Sequence, residues 1–333
     1  MKWGLKLLCL FAVTVGLALP LSAEEISQFE LAERIKEKAA KNEKLVFRMS
    51  YLDPSISFAV PIREGIEAAA EEFGVDAKMV GSVGGKIHEQ VAELETLISM
   101  GVDGLGVAAT SEEALATVID KGMKAGIPVV GFNSECRTSH YFGFVGQDLV
   151  GAARTQGHMI ACYLHGKGKV IIFSCASGAP WSLDRERGVR EGLAQYKGIE
   201  VIGLVDATLE EGKCYAAVES AFMANPDIAG VATLDCMTTP AVGRYILRQG
   251  LAGKIVHVGH DFIPETLDNV KAGATTATIS QDPFLQGYLP VKMMYEFVTK
   301  GIPIHDYDTG ALVCDKYNVQ EWLDKLAAGE PVG

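Results

Sequence analysis

The sequence predicts an α/β chain of two doubly wound parallel-sheet lobes, and three observations carry that expectation. Short apolar runs alternate with helical stretches along nearly the whole chain, the pattern of parallel strands covered by helices on both faces. The runs are continuous, as in Val170-Ile171-Ile172-Phe173, which suits strands buried on both sides. The alternation restarts after residue 148, and 333 residues divide into two halves of ordinary domain size at ~150 residues per domain.

The first 23 residues stand outside this pattern. Lys2 and Lys6 give a positive start, residues 7–19 are apolar apart from Thr14 and Gly16, and Pro20 and Ala23 mark a small-residue cleavage site. This is the layout of a secretory signal peptide, and the apolar run falls short of the ~20 residues of a spanning helix. Its removal takes two lysines and no acid, so the formal charge moves from −12 to −14. That acidity argues against nucleic-acid binding, which needs a cationic surface. Export places the expected mature chain in the periplasm.

Residues 24–44, rich in Glu, Lys and Ala, predict a surface helix leading into the first strand. Strands are predicted over 45–49, 77–80, 104–109, 128–132 and 141–145, with helices over 57–73, 86–100 and 111–125. After a helix over 148–165, strands over 169–174, 201–205, 230–234, 255–258 and 276–279 alternate with helices near 183–196, 211–224, 239–250 and 264–272. Gly74 and Gly101 end two of the helices, where glycine takes the left-handed stop at no steric cost. A helix near 284–300 follows.

Six cysteines lie beyond the export signal, none in a C-x-x-C pair or at zinc spacing from a histidine. They read as small buried hydrophobes. Cys175 and Cys236 both follow strands of one predicted sheet and form the candidate disulfide. The glycines at 81, 84 and 85 lack dinucleotide-binding spacing, and neither a P-loop nor a Gly-x-Ser-x-Gly elbow occurs. His260 and Asp261 are adjacent, but neighbours at a strand end point in different directions, so His260 is expected at the lobe surface or in a cleft and not as a catalytic base. No enzyme, cofactor or metal is expected. A sugar-sensing repressor would need a basic DNA-reading unit ahead of the lobes, where this chain has a signal peptide and a short helix.

Doubly wound sheets bind ligands at the carboxyl ends of their strands. Two such lobes therefore create a site where those ends face each other, and the residues just after each strand matter most. There the chain resembles the ribose- and galactose-binding proteins of bacterial ABC importers, the type I periplasmic binding proteins. The resemblance runs from about residue 44 to 313 and rests on six segments in order. In the first half they are Ser57-Phe58-Ala59-Val60-Pro61-Ile62-Arg63-Glu64-Gly65, Gly101-Val102-Asp103-Gly104-Leu105 and Ile127-Pro128-Val129-Val130-Gly131-Phe132-Asn133. In the second they are Asp184-Arg185-Glu186-Arg187-Gly188, Val258-Gly259-His260-Asp261 and Thr278-Ile279-Ser280-Gln281-Asp282-Pro283.

The resemblance implies a ligand set. Phe58 corresponds to an aromatic that packs on the apolar face of a sugar ring. Asn133 stands where the family usually carries Asp followed by Arg; an amide both donates and accepts but bears no charge. Arg185 matches an arginine reaching the ligand from the second lobe, whose fork bridges two oxygens. Arg187 is expected in a structural ion pair. Asp261 matches a carboxylate that accepts from two hydroxyls, and Gln281 a ligand-binding amide at a crossover between lobes. Asp235 is the candidate after the third strand of the second lobe, with a helix cap as the competing role. Leu209 replaces an expected aromatic, and Trp181 or Tyr51 can supply the ring instead.

The implied organisation is a signal peptide (1–23), an N-terminal extension (24–44), a first lobe (45–146 plus 283–310) and a second (147–282 plus 311–333). A three-stranded hinge is expected near 146–148, 280–283 and 308–312. The implied function is a monomeric binding component of an importer, taking a sugar or polyol and delivering it to a membrane permease. A sensory protein presenting the same ligand to a chemoreceptor or sensor kinase is the alternative.

Overall fold

The computed structural model describes residues 29–332, so the expected export signal lies outside the described residues. Two six-stranded sheets organise the chain. The first lobe opens with α1 (Glu33–Ala40), β1 (Val46–Ser50), α2 (Ala59–Phe73), β2 (Asp76–Val80), α3 (Ile87–Met100), β3 (Gly104–Val107), α4 (Glu112–Lys124), β4 (Val129–Phe132) and β5 (Phe144–Gly146). The second follows with α5 (Leu149–Tyr163), β6 (Lys167–Ser174), α6 (Pro180–Leu193), β7 (Gly198–Asp206), α7 (Glu211–Ala224), β8 (Ile228–Thr233), α8 (Thr238–Arg248), β9 (Val256–His260), α9 (Pro264–Lys271) and β10 (Ala277–Ile279). The chain then returns: α10 (Pro283–Lys300) packs along α2, and β11 (Tyr307–Asp308) extends the first sheet. Finally β12 (Val313–Asp315) and α11 (Val319–Ala327) join the second lobe.

The strand orders are β2-β1-β3-β4-β5-β11 and β7-β6-β8-β9-β10-β12, one doubly wound order used twice. Neighbouring strands pair in parallel except β12, which runs antiparallel to β10 with Thr278 opposite Cys314. That edge departs from the all-parallel expectation, because β12 enters from the other lobe without a crossover helix to reverse it. The run 170–173 divides as a strand buried on both sides must. Val170 and Ile172 enter the core on one face of the second sheet, and Ile171 and Phe173 enter the core on the other. The stops at Gly74 and Gly101 have φ of 67° and 72°, the left-handed conformation expected there.

Three local features differ from the sequence expectation. The N-terminal helix is shorter and is docked: Ile35 is fully buried, and the buried carboxylate of Asp103 accepts from Arg34 Nη1 (2.7 Å), Lys38 Nζ (2.7 Å) and the Val46 N–H (2.8 Å). Helix α6 begins at Pro180, because proline fits the first helical turn, where its missing N–H has no partner to lose. That brings Trp181 onto a helix. Helix α11 has no counterpart in the expected elements. It covers Phe262 with Trp322, their rings 5.0 Å apart edge to face.

The chain passes between the lobes three times, at 147–148, 280–282 and 309–312, as the expected hinge requires. Two amides stitch the crossings together. Gln147 Nε2 donates to Ser280 O and Gly310 O, both at 2.9 Å. Gln286 Nε2 donates to Gln281 O at 2.8 Å and to Thr309 Oγ1 at 3.3 Å.

Candidate functional site

The carboxyl ends of the two sheets enclose a cavity of about 220 Å³. Tyr51, Phe58, Asn133, Trp181, Arg185, Asp235, Asp261 and Gln281 all line it, so the structure brings together all eight sequence-selected positions. Leu209, at the position of the missing aromatic, lines it as well.

Asn133 and Asp261 occupy equivalent places. Asn133 follows β4 and Asp261 follows β9, the fourth strand of each sheet in spatial order. Both backbones are left-handed, with φ of 59° and 72°, a conformation that Asn and Asp adopt more readily than most side chains. The turn stops each strand and places a short polar side chain at the cleft. Asn133 Nδ2 donates to Gln286 Oε1 at 2.8 Å, which leaves its carbonyl oxygen for a donor in the cavity. Asp261 Oδ1 accepts from Gln281 Nε2 at 2.8 Å, and Oδ2 has no protein donor among the described residues.

Arg185 rises from α6 into the floor of the cleft and is 3% exposed. Its Nη1 donates to Leu234 O at 2.7 Å and its Nη2 to Gln147 Oε1 at 3.2 Å, while the buried Nε lacks a partner among the described residues. Burial pushes the Arg185 guanidinium down from its usual range despite Asp261 and Asp235 nearby. Burial likewise pushes the Asp261 carboxyl up to about 6, against the opposing pull of Arg185 and Gln281. Desolvation therefore outweighs the attraction on both sides. Each group has lost water and gained too few partners, and ligand hydroxyls would supply the missing ones.

Asp235 carries the cap role. Its Oδ1 accepts the N–H groups of Met237 (2.9 Å) and Thr238 (2.8 Å) at the start of α8, and its Oδ2 accepts the Cys175 N–H (2.9 Å). That carboxylate, and no disulfide, joins the two strand-end loops. All six cysteines among the described residues are free, so the expected Cys175–Cys236 pair is not formed. Both thiols line the cavity, and burial raises their pKa so that they stay protonated.

His260 is neither at the surface nor in the cleft. It is fully buried behind the site, with Nε2 3.1 Å from Gln156 Oε1 of α5. Arg187 pairs with Asp184 at 2.9 Å. Arg137, on the first lobe, also pairs with Asp184, on the second, and so bridges the cleft rim.

The rings come from both lobes. Phe58 starts α2 and is 5% exposed, belonging both to the first core and to the cavity wall. Tyr51 follows β1 and lies 6.1 Å from the Phe132 ring at an interplanar angle of 28°. Trp181 lines the cavity from α6 of the second lobe. Sequence reasoning missed Gln147 and Gln286, the amides that orient Arg185 and Asn133. Each lies beside a crossover, and that adjacency was the signal available. It also missed the support of Asp261: the next residue, Phe262, is clamped by Trp322 of α11.

Comparison with known proteins bears on this site. The periplasmic binding protein domain model matches residues 47–302. The xylose/arabinose-binding protein XylF of Sulfolobus acidocaldarius is 26% identical over 283 residues, 80% of this chain and 70% of that protein. The ribose import binding protein RbsB of Bacillus subtilis is 28% identical over 234 residues, 70% of this chain and 74% of its own. Among solved structures, the glucose-galactose binding protein GanP from Geobacillus stearothermophilus superposes with a TM-score of 0.78 at 26% identity, covering 83% of this chain and 99% of its own. A solute-binding protein from Burkholderia graminis in complex with D-arabinose gives 0.79 at 25% identity, covering 84% and 97%. The fold is shared with those structures over most of the chain, and the chain belongs to the periplasmic binding protein family, of the type I sugar-binding kind.

Proposed function

We propose that the chain is the solute-binding component of an ABC importer and that it holds one monosaccharide or small polyol in the cleft between its lobes. The observation that carries this reading is the polar floor shared by both halves. Asn133, Gln286, Gln281 and Asp261 form one hydrogen-bonded chain across the crossings, with Arg185 joined to the same crossings through Gln147. A ligand on that floor touches both lobes at once.

Closure follows from this geometry. In the open form the ligand docks on one lobe, and the other rotates about the three crossings. Closing is favourable only when the ligand bridges both sides, since it must interact with the closed state better than with the open one. Asp261 accepts from hydroxyls, Arg185 donates to ring or hydroxyl oxygens, and Phe58, Tyr51 and Trp181 cover the CH faces. A hydroxyl that finds no partner costs about 1–3 kcal/mol, so the wrong epimer is rejected. The membrane permease reads the closed form, and the bound molecule leaves unchanged.

A thermal-shift screen of monosaccharides and polyols tests the reading. A carbohydrate ligand raises the melting temperature in proportion to the logarithm of its concentration once past its Kd. A shift with amino acids or nucleosides and with no carbohydrate would overturn the ligand class.

A further inference from the structure

We propose that the cleft prefers a basic carbohydrate, an amino sugar or amino polyol whose ammonium group lies among the carboxylates of its lining, over a neutral or acidic one. The inference rests on the carbohydrate reading above and concerns which carbohydrate.

The charge of the lining carries it. Asp53, Asp235 and Asp261 all line the cavity, and Arg185 is the one lysine or arginine that does. Acidic side chains therefore outnumber basic ones three to one where the ligand sits. The arginines at the rim add nothing, because Arg137 is held by Glu135 and Asp184, and Arg187 by Asp184.

Hydrogen bonding does not remove that excess. Asp53 Oδ1 accepts the Ser55 N–H (2.9 Å) and hydroxyl (2.6 Å), and its Oδ2 accepts the Gly84 N–H (2.8 Å). Asp235 takes three backbone N–H groups. These donors are neutral, so they stabilise a carboxylate without cancelling its charge, and about one of its roughly four acceptor sites stays open. Asp261 is the least satisfied of the three. It is 3% exposed, its Oδ1 accepts from Gln281 Nε2, and its Oδ2 has no donor among the described residues. Asp235 stands near enough to push the Asp261 carboxyl further up, as like charges in one site do.

Closing the lobes strips water from these carboxylates, and a buried charge without a counter-charge is costly. A ligand hydroxyl brings a donor but no charge. A ligand ammonium brings a positive charge and three donors for the open acceptor sites. The rings of Tyr51, Phe58 and Trp181, in the same lining, attract a cation as well. A ligand carboxylate would instead add one more negative charge to the closed space.

Isothermal titration of the wild-type protein at pH ~7, where these amines are protonated, tests the inference with matched sets. They are D-galactosamine, D-galactose and D-galacturonate; D-glucosamine, D-glucose and D-glucuronate; D-mannosamine against D-mannose; and D-glucamine against D-glucitol. The amine of at least one set is expected to bind about tenfold more tightly than its neutral parent, and each uronate about tenfold more weakly or not at all. In Asp261→Asn, which keeps a residue suited to the left-handed backbone and removes one negative charge, the ratio of amine to parent is expected to fall. That ratio is taken within one protein, so a loss of folded material does not change it, and the wild-type sets decide the preference by themselves. Parents binding as well as or better than their amines in every set, a uronate binding more tightly than its parent, or a ratio undiminished in Asp261→Asn would overturn the inference and leave the sugar-binding reading intact. Failure of every carbohydrate to bind would overturn both.

Discussion

Lowering the pH from about 7.5 to about 5 should weaken ligand binding about tenfold, through Asp261. Burial pushes its carboxyl up to about 6 in the unliganded cleft, whereas the ligand-bound form needs the carboxylate to accept hydroxyl donors. At pH ~5, one unit below that value, about ten molecules in eleven carry a proton that must leave before the ligand docks, which is an elevenfold rise in Kd. At pH ~7.5 nearly all are ionised and the effect disappears. Stability of the empty protein runs the other way. The folded chain holds this proton more tightly than the unfolded chain, so the contribution of Asp261 falls as pH rises from about 4 to about 6. Two of the groups facing it do not mimic the effect, since burial keeps Tyr51 and Cys236 neutral over this range. Isothermal titration of the tightest sugar at both pH values, on wild type and Asp261→Asn, reads the effect. Asparagine tolerates the left-handed backbone at this position, so the variant isolates the charge. Equal affinity at the two pH values in wild type, or the same tenfold loss in Asp261→Asn, would refute the reasoning.

Other expectations follow from the packing. Arg185→Ala leaves Leu234 O and Gln147 Oε1 without their donor, and urea melts should show a loss of about 2 kcal/mol or more together with loss of sugar binding. Gly287→Ala should lower the melting temperature by several degrees, because its Cβ would stand 2.0 Å from Ile62 O where α10 crosses α2; overpacking of this kind costs about 1–3 kcal/mol. Arg137→Ala removes the ion pair bridging the rim, but Arg137 is half-exposed, so affinity measured by titration should change by less than ~1 kcal/mol. Trp322→Ala, outside the cavity, should weaken sugar binding by about 0.5–2 kcal/mol by loosening Phe262 beside Asp261, with circular dichroism confirming that the fold is retained.

The elements of both lobes were legible because their signals are local. Apolar runs of strand length, glycine stops and helical spacing each act over a few residues, and the second sheet divides its run at 170–173 as that pattern requires. The strand-end positions were legible for a related reason, since the rule that ligands meet the carboxyl ends of such sheets needs only the element order. What escaped depends on contacts between distant segments. Helix α11 has its apolar side in Val319, Trp322, Leu323 and Leu326, but its role is visible only once Phe262 is seen beneath it. The Cys175–Cys236 pairing failed because strand order set the two loops side by side without saying what lies between them, and a carboxylate does. His260 was misplaced because its burial depends on a distant partner, Gln156 of α5, which the sequence around the strand end does not reveal.

The most direct test of the account is a crystal structure of the protein with the tightest sugar from the screen. One molecule should lie between the lobes, with hydroxyls on Asp261 and Arg185 from one side and on Asn133 from the other. A sugar bound on an outer face of either lobe, or held by one lobe with Asp261 and Arg185 untouched, would contradict it.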